Sequence, residues 1–599
     1  MTAKDVAVER ATRRRPRTRL PRLALESLAF LRGEIRASEL WLVVIAAAVG
    51  AAAGLVTVGI GMAAHGLQQL LYNIDFDDRL SALTKIPPER LIALPIGGAI
   101  LAVVTWLYVR RRPGAPVDPV EANALHGGRM SLRESLFVGL QTIISNGFGA
   151  SVGLEAAYAQ MGGAVASLTG RALNLRRNDL RTFVGAGAGA AIAAAFGAPL
   201  TGAFYAFEIV IGSYTIANIA PVVAAALAGA LMTRLAHFEP FVIHITTAND
   251  LVLSHYVLFA GLGLICAFFG VAVMRLVGWT DSLTGRIPGP KLLRQIAGGA
   301  ILAGLAFFAP QTLSAGHGAM HLDLTANLAI TALVFLIATK AIASVVSLGF
   351  GFRGGLFFAS LYLGSLLGRL YAVALGQLGG DIVIDPLAAS LVGMGALAVA
   401  IVGGPFTMSF LVLETTGDFS LTAATLTASI VASVLVRESF GYSFSTWRLH
   451  LRGETIRSAH DVGWLRTLTA GRMMRADAPT IAASASLADF RARFPLGSTR
   501  RVVALDEAGR YAGVVPVSRV YADADGEGIV SELTINQDEW LTPEMSVKEI
   551  MGVFDRTESD ELAVLDEQRQ VLGVLSEAYA TRRYAEELEK NRRDLVGGD

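Results

Sequence analysis

The chain is 599 residues long, 53% hydrophobic and 17% charged, with a net charge of +1 and a mean hydropathy of +0.51. That balance excludes an ordinary soluble protein of this size, and the near-zero net charge leaves no basic field to draw a nucleic acid. Sixty-three glycines among so few charges suit close-packed membrane helices. The single cysteine, Cys266, lies in an apolar run, so no intramolecular disulfide exists.

Residues 1–39 form a basic arm, with Arg10, Arg13, Arg14, Arg15, Arg17, Arg19 and Arg22 ahead of any long apolar run. The arm is too polar for a cleavable signal peptide, and the positive-inside rule keeps it cytoplasmic. A topology signal is favoured over contact with nucleic acid or anionic lipid. Residues 41–64 and 91–109 are each long enough to span a bilayer, the second ending at Arg110, Arg111 and Arg112. Between residues 130 and 236 the apolar pieces shorten, and Arg171, Arg176, Arg177 and Arg181 mark a cytoplasmic turn. Residues 256–274 predict a clear span, with further apolar segments at 296–308, 328–346, 356–374, 387–402 and 423–436. Several are too short to cross alone, which predicts broken or re-entrant helices that meet inside the protein.

Residues 146–163, NGFGASVGLEAAYAQMGG, carry one charge, Glu155. A charged side chain at the bilayer centre costs roughly 2.5–3.5 kcal/mol on insertion scales, so such a residue faces a cavity, a path or a partner. The bland alternative is a carboxylate placed at a helix start by the helix dipole. The rest of the chain favours an ion path guarded by Glu155.

The chain also repeats. Gly153-Leu154-Glu155-Ala156-Ala157 is echoed by Gly355-Leu356-Phe357-Phe358-Ala359, with Gly162 and Gly364 following in register. Pro199 and Pro405 are each followed nine residues later by a glutamate, Glu208 and Glu414. The offsets are 202 and 206 residues, so the two matches are nearly collinear and point to a duplication. Duplicated transporter halves place their site where paired broken helices meet, and helix N-termini there offer N–H groups to an anion. After residue 453 the composition becomes charged. A linker at 454–470 leads to a soluble tail, 471–599, in which apolar strand, Asp turn and Gly-containing strand recur at an offset of 60 residues.

Residues 40–453 resemble the CLC family of chloride channels and chloride/proton antiporters, and the tail is similar to a pair of CBS domains. The long glycine/alanine stretch at 185–208 and the stretch at 404–419 carry most of the likeness. The resemblance implies an all-α polytopic membrane protein, an inverted-repeat fold with broken, re-entrant helices, followed by a cytoplasmic α+β CBS pair. It implies transport of chloride or a similar small anion across the cell (inner) membrane by a homodimer, with no cofactor. The family's GREGP motif becomes residues 153–157, which makes Glu155 the gating glutamate that competes with the anion for the outer site. GxFxP becomes residues 355–359 and keeps the backbone donor Phe357 but not the proline. GSGIP is matched by Ala115-Pro116-Val117-Asp118-Pro119, with no serine hydroxyl for the inner anion. The anion-binding set implied is therefore Pro116, Val117, Asp118, Gly153, Leu154, Leu356, Phe357 and the late tyrosine, Tyr442. Tyr442 also reads as an interfacial aromatic anchor. Asp118, awkward for an anion, reads as a helix cap, a salt-bridge partner or a selectivity element. The proton-relay glutamate of the antiporters is replaced by Ile209, which argues against proton coupling. The missing serine is similar to the fluoride-exporting branch, and a fluoride or other halide/proton antiporter is the alternative.

Two other classes are weaker. An intramembrane enzyme needs a nucleophile–base or metal set, and no HExxH pattern occurs; His126, His237 and His244 fall near loops. A sensor would work through the CBS pair. Its strands end in Ser518-Arg519-Val520-Tyr521 and Ser576-Glu577-Ala578-Tyr579, without the acid that holds a ribose. A structural or dimerising tail is favoured over one that binds an adenine nucleotide.

Overall fold

The computed structural model describes residues 39–75, 78–111, 116–236, 251–286, 291–378, 384–452, 468–522 and 528–583, together with residue 586. The basic arm up to residue 38, most of the linker, Ala115, His237 and His244 lie outside the described residues. The chain divides into two compact units, 1–460 and 461–599.

The first unit is helical. Its elements are α1 (Glu39–Tyr72), α2 (Ala93–Arg111), α3 (Pro119–Leu125), α4 (Leu132–Gly147), α5 (Glu155–Ala172), α6 (Arg177–Phe196), α7 (Pro199–Tyr205), α8 (Ile216–Leu235) and α9 (Leu253–Gly285). The series continues with α10 (Lys291–Phe308), α11 (His317–Thr325), α12 (Ile330–Gly349), α13 (Phe357–Gln377), α14 (Pro386–Val402), α15 (Pro405–Thr416), α16 (Phe419–Ser439) and α17 (Phe444–Leu451). Seven helical stretches among the described residues are long and apolar enough to cross a membrane, at 40–72, 88–111, 216–235, 253–285, 330–349, 357–377 and 419–451. Three shorter apolar stretches, at 199–211, 292–308 and 386–402, fall below that length. The protein is a multi-pass membrane protein. The helix ends follow local rules. Asp385 caps α14 ahead of Pro386, Asp418 caps α16, and the left-handed Gly197 and Gly417 close α6 and α15.

The repeat seen in the sequence is built into the packing. α5 and α6 cross where a Cβ on Gly162 or Gly187 would collide with the other's carbonyl. α13 and α14 cross in the same way at Gly364 and Gly393. Only glycine lets two helix backbones approach this closely. The ends of the halves also exchange hydrogen bonds. Glu208 accepts from the N–H of Phe406 (3.1 Å), the N–H of Thr407 (2.8 Å) and the Thr407 hydroxyl (2.6 Å). Glu414 accepts from the N–H of Leu200 (2.8 Å), the N–H of Thr201 (2.8 Å) and the Thr201 hydroxyl (2.7 Å). Each carboxylate thus caps the N-terminus of the helix in the opposite half, satisfying amides that a helix leaves open. Glu208→Ala or Glu414→Ala is expected to cost about 1–2 kcal/mol each. Thermal unfolding of the detergent-solubilised protein should show this as a lower midpoint; an unchanged midpoint in the double variant would remove the capping role.

The second unit has the tandem α/β form. The first sheet has order β1-β2-β3, with β1 (Thr480–Ala482) parallel to β2 (Arg501–Leu505) and β2 antiparallel to β3 (Tyr511–Pro516). β4 (Glu561–Leu565) and β5 (Val571–Ser576) form an antiparallel pair. The register shifts at Leu505 and again at Leu565, so the repeat of 60 residues extends to the bulge. Asp506 and Asp566 each turn the chain by accepting two backbone N–H bonds. These donors, Arg510 first, hold the Asp506 carboxyl below its usual range. Val503, Tyr511 and Val514 pack with Ala563, Leu565 and Val574 to join the two repeats.

Candidate functional site

Three chain segments meet where the sequence places the anion set. Gly153 and Gly355 form an antiparallel bridge, the Gly153 N–H donating to Gly355 O (3.0 Å) and the Gly355 N–H to Gly153 O (3.4 Å). This bridge brings the N-termini of α5 and α13 together. It also takes the Gly153 N–H out of reach of an anion, contrary to its expected part as a donor. The donors left are first-turn amides of the two helices, which have no intrahelical acceptor.

Glu155 is the first residue of α5 and is 3% exposed. Its carboxylate faces its own N–H and that of Phe358 in the other half, and among the described residues its Oε2 has no hydrogen-bond partner. A Cβ on Gly153 would collide with that oxygen, so glycine is the residue that lets the carboxylate fold back here. Leu154 and Leu356 occupy the N-cap positions of α5 and α13. Phe357 opens α13 with its ring 5.3 Å from that of Phe196 and 6.2 Å from that of Tyr205.

A cavity of about 340 Å³ runs along this junction. Pro116, Asp118, Glu155, Leu356 and Phe357 line it, with Tyr205, Arg353, Ser445 and Arg448. Val117, Gly153 and Leu154 are not on the wall; the Val117 carbonyl accepts from Gln160 (2.8 Å). Asp118 caps α3, its Oδ1 accepting from the Glu121 N–H (2.8 Å). Ile209 lies half-buried in a π-helical turn at Ala206–Ile211, away from the cavity wall. Tyr442 is not on the wall either. Its ring packs against Phe440, Trp447 and His450, and its hydroxyl meets His450 Nδ1 at 3.2 Å. The reason is local. Ser443 caps α17, so the helix begins after Tyr442 and turns Phe444, Ser445, Arg448, Leu451 and Arg452 toward the cavity on one face.

Sequence reasoning passed over Tyr205, Arg353 and Arg448. Arg353 carried a signal, as the one charge between the apolar segment at 328–346 and the repeated motif at 355–359. The wall charges are Arg353, Arg448 and Arg452 against Asp118, Asp281 and Glu155. Arg452 is paired with Glu121 (3.2 Å) and Asp281 with Arg294. Helix N-termini and guanidinium groups around one buried carboxylate suit the binding of an anion. Among the described residues no His, Cys, Asp and Glu group of three or more is arranged to hold a metal ion.

The profile of the voltage-gated chloride channel family matches residues 97–437, more than half of the chain. A putative chloride channel protein, ClcB-like, from Ralstonia nicotianae is 28% identical over 398 residues, 65% of this chain and 92% of that protein. The voltage-gated ClC-type chloride channel ClcB of Escherichia coli is 26% identical over 400 residues, 66% of this chain and 95% of that one. Among solved structures, a slow cyanobacterial chloride/proton antiporter has a TM-score of 0.61 at 23% identity, covering 69% of this chain and 99% of its own. A eukaryotic CLC transporter has a TM-score of 0.57 at 18% identity and covers 92% of this chain and 98% of its own. A CLC-type fluoride/proton antiporter has a TM-score of 0.56 at 21% identity, covering 66% and 95%. These structures share the fold. The chain belongs to the voltage-gated chloride channel (CLC) family, and its function is CLC-type anion transport across a membrane.

Proposed function

We propose that the protein moves chloride or a similar small anion, that Glu155 is the outer gate, and that coupling to protons is weak or absent. The observation that supports this reading best is the position of Glu155. Its buried carboxylate lies at the meeting point of two helix N-termini, where an anion would compete for the same donors. Swinging the carboxylate away frees these donors, and a path with several weak sites lets the ion leave again. Asp118 acts in this reading as a cap that also tunes selectivity. Fluoride is the second reading. Pro116 brings no hydroxyl to the wall, and a fluoride/proton antiporter is among the proteins with this fold. The experiment is anion flux from liposomes with chloride and with fluoride, each with and without a proton gradient. Absence of flux for both ions would overturn the transport reading, and faster fluoride than chloride would favour the second.

The same reading places the protein in the cell membrane with the N-terminal arm and the tail cytoplasmic, as a homodimer with one pore per subunit. Exposed apolar side chains on α7, α8, α15 and α16, among them Leu200, Ile216, Phe406 and Phe419, are available to lipid or to a second copy. The expected particle mass in detergent is twice the chain's 63.1 kDa. Light scattering that found monomer alone at micromolar concentration would count against the dimer. The tail serves in assembly in this reading. Ser518 lies on a helix, Val517–Ala522, and Ser576 ends β5; no acid stands three residues after either one.

A further inference from the structure

Away from the cavity, the connection from α3 to α4 lies against the connection from α5 to α6. Ser167 Oγ, near the end of α5, donates to Gly128 O (2.8 Å) and accepts from the Met130 N–H (2.9 Å). Asn123 Nδ2, on α3, donates to Arg181 O on α6 (3.1 Å). Gly127 and Gly128 are left-handed, with φ of 58° and 80°. A Cβ on Gly127 would stand 2.7 Å from Arg177 Nε, and one on Gly128 3.0 Å from the Arg181 backbone nitrogen. The tight turn therefore lays the first connection on the arginine-bearing start of α6.

The charge gathered there is one-sided. Residues 126–134 and 171–181 carry six arginines, Arg129, Arg133, Arg171, Arg176, Arg177 and Arg181, against two acids, Glu134 and Asp179. Among the described residues none of the six arginines is in an ion pair. Arg176 and Arg177 hold the N-cap and first positions of α6, where the helix dipole opposes cations. Arg181 is half-buried, and among the described residues its Nε is buried with no hydrogen-bond partner. Burial and then the Arg177 charge push its guanidinium below the usual range. A bound anion would relieve this crowding of like charges.

We propose that Arg129, Arg177 and Arg181 form a binding site for the phosphate of an anionic lipid headgroup. The site is separate from the anion path and does not rest on the reading of that path. A guanidinium is a flat fork of N–H donors that fits two phosphate oxygens, and basic pockets between membrane helices suit such headgroups. α6 has 20 residues and rises about 30 Å, the thickness of a bilayer's apolar core, so its arginine end reaches a headgroup layer. The surface beside the arginines turns apolar. Arg133, Leu136 and Leu140 fall along one face of α4, Leu168 stands three residues before Arg171 on α5, and all three leucines are exposed. A lipid offers phosphate to the arginines and acyl chain to the leucines, whereas a free phosphate offers only the first.

The test uses the full-length chain in neutral detergent, with bound lipid counted by native mass spectrometry as phosphatidylglycerol or phosphatidylcholine is added. Phosphatidylglycerol is expected to bind about tenfold more tightly, because the choline cation is repelled. Arg129→Gln and Arg177→Gln, both at exposed positions, are each expected to weaken it about fivefold without unfolding the protein. Arg111→Gln, at the far end of α2, should leave the affinity unchanged. Inorganic phosphate should not displace the lipid. Equal binding of the two lipids, an unchanged affinity in both Arg129→Gln and Arg177→Gln, or an equal loss in Arg111→Gln would overturn the proposal. Displacement by inorganic phosphate would overturn the lipid as occupant and give the site to a soluble anion.

Discussion

Glu155→Gln is expected to remove the pH dependence of anion flux while leaving the protein folded. On the proposal that Glu155 is the gate, its carboxylate occupies the donors that an anion needs. Acidification protonates it, weakens its hold on those donors and opens the site. Flux should therefore rise several-fold as the pH falls from about 7.5 to 4.5. Glutamine has nearly the same volume and no charge, so Glu155→Gln should run at the high rate at every pH in that window. It should also fold, since among the described residues Oε2 has no partner to lose. The measurement is ion-selective-electrode efflux from liposomes at a series of pH values. A Glu155→Gln profile that follows the unmodified protein would end the assignment of Glu155 as the gate.

The second large effect concerns protons. An outward chloride gradient across sealed liposomes is expected to drive little uphill proton entry, far below a fixed ratio to chloride. A proton crossing apolar core needs titratable stations. Ile209 cannot titrate, and it lies off the cavity wall. Its neighbour Glu208 is engaged with Phe406 and Thr407 through three hydrogen bonds, so it is a poor shuttle. A chloride-driven proton flux of fixed stoichiometry that disappears in Glu155→Gln would refute this. It would show that water or another acid carries the proton inward.

Much of this architecture is legible in the chain because glycine and proline leave marks at fixed spacing. The offsets of 202 and 206 residues reappear as the Gly153–Gly355 bridge and as the reciprocal Glu208 and Glu414 caps. The tail's offset of 60 residues reappears as two strand pairs with matching bulges. Helix lengths were less legible. The apolar run at 256–274 marks only the middle of a 33-residue helix, Leu253–Gly285, because the ends of α9 carry polar residues that hydropathy discounts. The aromatic of the cavity was not legible either. Tyr442 stands off the wall because the Ser443 cap sets where α17 starts, and no motif in the sequence marks Tyr205. Arg353 shows the opposite case. Its isolation among apolar residues was visible, but the company of Arg448, 95 positions away, is a product of folding.

The crossed caps also bear on the order in which the chain matures. The amides of Leu200 and Thr201 are met by Glu414, which lies 214 and 213 positions further on. A ribosome adding about 5–20 residues per second needs roughly 10–40 s to supply it. For that interval the first half sits in the bilayer with open amides at the start of α7, and Glu208 waits for acceptable donors in a segment not yet made. The first half is thus a nascent intermediate that its own sequence leaves unfinished. Chains that stall before residue 414 leave the Leu200 and Thr201 amides without their carboxylate.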